Sequence, residues 1–192
     1  HAQYSLRDER RDRHSGRIWR ITTKGKPVQE PSRIADATIP ELLDLLKRPE
    51  YRVRYWAKRE LRQRDTNEVR RELDAWVLWL DATDMRIHHH QLEALWTYRV
   101  IGDADIAHTG LPSAAPPAQS AISVSKVATN LLRTLISCDD HHARAAATQQ
   151  LRYWHPQMPD AVTLLRQSAN DPSGIVRMEA AIAATYMASL PA

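Results

Sequence analysis

Aligning Arg54, Arg144 and Arg177 brings this chain into register with itself. Twelve residues earlier stand Leu42, Leu132 and Leu165, and eight earlier Leu46, Ile136 and Ala169. Three residues later come Ala57, Ala147 and Ala180, and seven later Leu61, Leu151 and Ala184. A polar turn divides each copy: Arg48-Pro49-Glu50, Cys138-Asp139-Asp140 and Asn170-Asp171-Pro172. A fourth, degenerate copy centres on His88, with Trp76 and Leu80 before it, Leu95 after it, and Gln91 in place of the alanine. Chance supplies one such coincidence but not five columns in register, so the chain repeats a supersecondary unit.

Each copy reads as helix–turn–helix, and its apolar stripe can be covered only by a neighbouring copy. The predicted fold is therefore all-α: a HEAT/armadillo-like α-α superhelix, a right-handed stack of about four helix pairs over residues 38–190. The small residues Ala57, Ala147 and Ala180 let adjacent helices approach closely, and Asp139 and Asp171 are expected to cap the second helix of their copies. The arginine that follows is expected to reach an acidic turn, that of the next copy, so that a ladder aligns the units. Thr38 is the expected N-cap of the first helix, with Pro40 in its first turn and Leu42, Leu45 and Leu46 as its stripe. Residues 102–122, with Gly102, Gly110, Pro112, Pro116 and Pro117, read as an insertion loop; a surface excursion is the plain reading, a lid or docking loop the sharper one.

Ahead of the repeat the pattern differs, dividing the chain into residues 1–33 and 34–192. Arg17-Ile-Trp-Arg-Ile-Thr22 alternates as a strand does, and Lys24-Gly25-Lys26-Pro27 supplies a turn. A lone strand buries no face, so its sheet partners are expected upstream of a cut end, and the chain opens on His1 with no charged-then-apolar leader. Five glycines and no phenylalanine favour helices over tight turns elsewhere. A single cysteine, Cys138, excludes an intrachain disulfide and any Cys-x-x-Cys site. No apolar run approaches the ~18 residues of a membrane-spanning helix. The net charge of +4 is local: residues 1–33 hold nine Lys/Arg against four Asp/Glu, and residues 47–64 eight bases against Glu50 and Glu60.

Several phrases together resemble one family. Tyr4-Ser-Leu-Arg-Asp8, Arg11-Asp-Arg-His14 and Gly16-Arg-Ile-Trp-Arg-Ile-Thr22 look like the last strands of its β-propeller. Leu42-Leu-Asp-Leu-Leu46, Ala57-Lys-Arg-Glu-Leu61 and His89-His-Gln-Leu-Glu-Ala-Leu-Trp96 resemble the start of its helical region. Leu151-Arg-Tyr-Trp154 and Asn170-Asp-Pro with Val176-Arg-Met-Glu-Ala180 resemble its later HEAT units. This is the PVC-type membrane-bound dehydrogenase family, large secreted proteins with a haem-binding Cys-x-x-Cys-His domain. The resemblance implies a sugar-dehydrogenase-like propeller, then HEAT repeats, then a cytochrome-like domain, in the periplasm or cell envelope. It implies haem c in the parent protein and, as partners of this chain, the adjacent propeller and cytochrome-like domains. Because this chain carries no Cys-x-x-Cys-His and only a sliver of propeller, residues 1–192 are expected to have no cofactor and no dehydrogenase activity of their own.

Candidate chemistry is sparse. His88, His89 and His90 point ~100° apart on a helix and do not converge on one ion, and neither they nor His141 and His142 give the i, i+4 spacing of helical metal ligands. No metal or catalytic residue is assigned. Trp76 and Trp96 belong to the repeat columns, whereas Trp79 lies off the stripe, exposed or turned to the propeller, and Tyr153-Trp154 closes a helix. A helix from about Tyr51 to Gln63 turns Val53, Ala57 and Leu61 inward and shares Arg52, Arg59 and Arg62 on its outer face. Those arginines with Trp79 form the candidate interaction surface: a solvated face first, then contact with an acidic protein, and phosphate backbone third. Two functions compete, a HEAT-repeat spacer of a multidomain dehydrogenase and a freestanding HEAT module that binds protein or nucleic acid.

Overall fold

The computed structural model describes residues 8–9, 16, 21–25, 27, 30–102 and 124–187. The chain forms two compact units, residues 1–32 and 33–192. In the first, the Lys24–Gly25 turn is present, with Gly25 at φ 79°. The predicted strand falls mostly on residues 17–20, outside the described residues; Ile21 and Thr22 carry no strand.

The second unit is all-α. Among the described residues it contains α1 (Ile39–Leu45), α2 (Tyr51–Leu61), α3 (Thr66–Leu78), α4 (Ile87–Gly102), α5 (Lys126–Ile136), α6 (His141–Trp154), α7 (Ala161–Ala169) and α8 (Gly174–Met187). A one-turn 3₁₀ helix, His155–Gln157, follows α6 where His155-Pro156 ends it. None of these helices is long and apolar enough to cross a membrane. The predicted insertion begins at Gly102, the last residue of α4, and otherwise lies outside the described residues.

Short polar side chains start the helices where they can accept from free backbone N–H groups. Thr38 and Glu41 form a reciprocal capping box, with Pro40 in the first turn as predicted. Asp65 accepts from Glu68, and Ser125 from Ala128. The cap of α6 is Asp140, which accepts from His142, and not Asp139 as the sequence suggested. Asp171 accepts from Ser173 just ahead of α8, and Asp139 and Asp171 face His88 and Arg144 respectively.

Packing follows a two-row order. Each helix meets its pair mate (α1 with α2, α3 with α4, α5 with α6, α7 with α8) and also the helix two places on, so that α1, α3, α5, α7 form one row and α2, α4, α6, α8 the other. The core lies between the rows, and the alanine column belongs to it: Ala57, Ala147 and Ala180 are all buried. Leu42, Leu46, Leu61, Leu132, Ile136 and Leu151 are buried as the columns require.

Two groups of positions depart from the columns. In the degenerate copy, Val69 and Leu73 hold the buried places on α3, while Trp76 and Leu80 are half-buried; α3 is long enough to seat its stripe about two turns earlier. In the last copy, Leu165 is half-buried and Ala169 and Ala184 are exposed, with Leu164, Ser168 and Ala183 buried instead. Pairs two and three have neighbours on both sides, but α7 and α8 have described neighbours on one side only, so one row of their stripe stays uncovered.

Asp74 on α3 joins three helices. Its Oδ1 accepts from the Tyr98 hydroxyl of α4 at 2.6 Å and from Ser125 Oγ, the cap of α5, at 2.7 Å. Burial first, and then this carboxylate, push the Tyr98 hydroxyl far above the usual tyrosine range.

Replacing Ala147 or Ala180 with leucine is expected to cost about 1–3 kcal/mol by forcing packed helices apart. Urea midpoints falling at unchanged m-value check this, and unchanged midpoints for both variants would refute the packing register.

Candidate interaction surface

The first residues to build on are the anchor arginines, because each spends one nitrogen on its own turn. The carbonyls of a turn between helices lie outside either helical ladder and need another donor. Arg54 Nη1 donates to the carbonyls of Arg48 and Pro49 at 2.8 and 2.7 Å. Arg144 Nη1 does the same to Cys138 and Asp139 at 3.0 and 2.9 Å, and Arg177 Nη1 to Asp171 and Pro172 at 2.7 and 2.8 Å. The planar fork leaves the other nitrogens free to reach outward.

Arg54 and Arg144 also reach an acid of the following pair. Arg144 clasps Asp171 through Nε (2.7 Å) and Nη2 (3.0 Å), the cross-turn contact that the sequence predicted. His88 occupies the arginine column in the second pair, with Nδ1 3.6 Å from Asp139 Oδ1 of the third. Arg54 instead meets Glu93 in the body of α4 (Nε–Oε1 2.8 Å), because the acids of the α3–α4 turn have local partners: Asp81 holds Thr83, and Asp84 holds the Arg86 N–H and His90. A second bidentate pair, Arg133 on Asp160 (2.7 and 2.9 Å), and an Arg152–Glu179 ion pair also tie the third helix pair to the fourth. Hydrogen bonds from their arginines hold Asp160 and Asp171 below the usual carboxylate range.

Glu93 is nearly fully buried and carries two cations. Lys58 Nζ lies 2.7 Å from its Oε2, opposite Arg54, and also 5.3 Å above the Trp96 ring. Removing the carboxylate would leave two cations in a water-poor site. His89 stands 3.8 Å away, and burial lowers its pKa below the usual histidine range. His90, also buried, turns Nε2 to Asp84 Oδ2 at 3.2 Å and leaves Nδ1 without a partner. The three consecutive histidines thus face three different acids.

One grouping of metal-ligand type lies across elements: donor atoms of His88, Cys138 and Asp139 fall within 4.8 Å of one another. Reading each helix by itself could not find it, since the residues come from separate pairs. Its donors are of kinds zinc accepts, but the metal ligand is the thiolate. Burial raises the Cys138 pKa, and the thiol donates to the Asp140 carbonyl.

The outward side of α2 is the most distinctive exposed surface. Arg52 and Arg59 lie on it and Arg62 at its C-cap, all exposed as predicted. The sequence reading missed their companions: Tyr51, Tyr55 and Trp56 are exposed on the same ~140° sector of the helix. Tyr51 stacks on Tyr55 (6.3 Å between centroids), Trp56 meets Tyr55 edge-on (5.4 Å), and the Arg59 guanidinium lies 5.0 Å over Trp56. Their i, i+4 spacing beside the arginines was the available signal. Trp79, 88% exposed beside exposed Leu78, stands at the C-cap of α3 and belongs to the turn edge instead.

Compared with protein-family models, with curated proteins and with solved structures, the chain matches none.

Glu93→Ala is expected to cost about 3–5 kcal/mol, the range for breaking a buried ion pair, measured as a loss in urea midpoint. Arg144→Ala is expected to cost about 2 kcal/mol or more, with Arg144→Lys recovering only part, since an ammonium cannot span both turns. Asp160 and Asp171 have depressed folded-state pKa values, so their contribution is present above the unfolded value of about 3.9 and lost as pH falls through the folded one. Unfolding midpoints should therefore drop on acidification below about pH 4. Arg144→Ala should flatten that drop.

Proposed function

We propose that residues 33–192 are a HEAT-type α-solenoid that acts as a scaffold without catalysis, presenting the α2 face to an acidic protein surface. The observation that carries this reading is the two-row packing order joined to the repeated arginine: each pair meets the next through both rows, and each arginine binds its own turn. Tyrosine, tryptophan and arginine are the residues that dominate protein interfaces, and α2 gathers them with the charges outward. On the resemblance of its sequence phrases, the parent would be a PVC-type membrane-bound dehydrogenase of the cell envelope. The solenoid would then set the distance between a propeller and a haem c domain, since repeat count fixes length and curvature.

A second reading has its own support. Aromatic rings interleaved with arginines also suit single-stranded nucleic acid, whose bases stack on any flat ring. Gel-shift titration of single-stranded and duplex DNA and RNA at low and moderate salt separates the two. The scaffold reading expects no tight binding; tight, salt-sensitive binding lost in Arg52→Glu/Arg59→Glu/Arg62→Glu would replace it by the nucleic-acid reading. The scaffold reading also expects no haem spectrum and no sugar-dependent dye reduction from this chain.

A further inference from the structure

The last helix pair leaves a row of side chains open, and its counterparts show what such a row does. Arg166 and Arg177 follow Arg133 and Arg144 by 33 residues each. The earlier two each clasp an aspartate 27 residues farther along, Asp160 and Asp171, through Nε and Nη2. The Arg152–Glu179 pair spans the same 27 residues. Arg177 satisfies only its own turn, and the Arg166 side chain makes no hydrogen bond or ion pair with a described residue; both are exposed. Beside them Ile175, Met178, Ile182 and Tyr186 (43, 52, 38 and 40% exposed) form an i, i+3, i+7, i+11 stripe along α8. The same stripe on α6 is His142, Ala145, Gln149 and Tyr153, on the helix that α8 packs against, with Ala145 buried and Gln149 and Tyr153 half-buried. Leu165, Ala169 and Ala184 open on the last pair where their counterparts are covered.

We infer that the outer face of α7 and α8 is a stacking face for a further helix pair of the same polypeptide, which brings one carboxylate to Arg166 and another to Arg177. A pair that ends a solenoid carries a polar outer face, because nothing covers it; this one is apolar and studded with two guanidinium groups whose equivalents are both mated. The constant 27-residue span of the cross-pair bonds fixes where the acids should stand: 27 residues after Arg166 and 27 after Arg177, the second in the turn between the new helices. Continuity of that span favours the same chain over a second copy, whose own α7 and α8 acids are already engaged. The inference deepens the solenoid reading and rests on it.

The test compares the 192-residue chain with one lengthened by the residues that follow it in its own coding sequence, about 40, enough for one more pair. The expected result has three parts. Asp or Glu occurs within a residue of both positions. The longer chain melts higher, with slower amide exchange in α8. Combined Arg166→Ala and Arg177→Ala lowers its melting temperature by about 4 °C more than that of the shorter chain. A stop codon, the absence of the two acids, or equal shifts in both chains would overturn the inference. So would a 192-residue chain that sediments as a dimer and returns to monomer with Arg177→Glu, which assigns the face to a second copy. Arg144→Ala is the control: it must destabilise both chains if the pairs stack as read, so its failure would condemn the solenoid reading and not the terminal face alone.

Discussion

The structure depends on one economy of the guanidinium group, which can bind in two directions at once. A helix–turn–helix unit has two problems: the carbonyls of its turn lie outside both helical ladders, and nothing inside the unit fixes how it sits on the next. Arg144 meets both, holding the carbonyls of Cys138 and Asp139 with one nitrogen and Asp171 with the other two. Apolar burial supplies most of the driving force between pairs but little direction, since leucine stripes tolerate sliding. The fork, which demands a planar carboxylate at a set distance, restricts the pairs to one register.

That division of labour explains what could be read in advance. The alanine and arginine columns were legible because both sit in the second helix, whose phase is fixed by the arginine used for alignment. The first helices are connected through turns, and there the reading slipped: α3 seats Val69 and Leu73 where Trp76 and Leu80 were expected. The miss at Leu165 has another origin, and Ala169 and Ala184 are open for the same reason: sequence columns report which residues a repeat can bury and not whether a neighbour is present to bury them. Capping was missed by one place at Asp139 because two adjacent aspartates compete for the N–H groups of α6, and the loser is drawn to His88.

The candidate surface was half legible. Charge marks a solvent face in any sequence, so Arg52, Arg59 and Arg62 were found, whereas Tyr51, Tyr55 and Trp56 would ordinarily be assigned to a core. Their exposure follows from α2 having only a narrow inward edge, Ala57 and Leu61, with Arg54 and Lys58 committed to Glu93 on its flank. Grouping His88 with Cys138 and Asp139 needed knowledge of which pairs are neighbours, information that no single helix contains.

Asp74 carries a consequence for how this protein can change over generations. By accepting both the Tyr98 hydroxyl near the end of α4 and Ser125 at the start of α5, one oxygen clamps the two ends of the interruption in the repeat. Tyr98 and Ser125 are thereby held at a fixed separation, so the seating of α4 against α5 rests on these two bonds and not on the number of residues that join the helices. Inside the stack the tolerance is far smaller: a single methylene added at buried Ala147 is felt at once. Change along the rows is therefore counted in whole helix pairs, and the clamp at Asp74 keeps that count across the place where the repeat is interrupted.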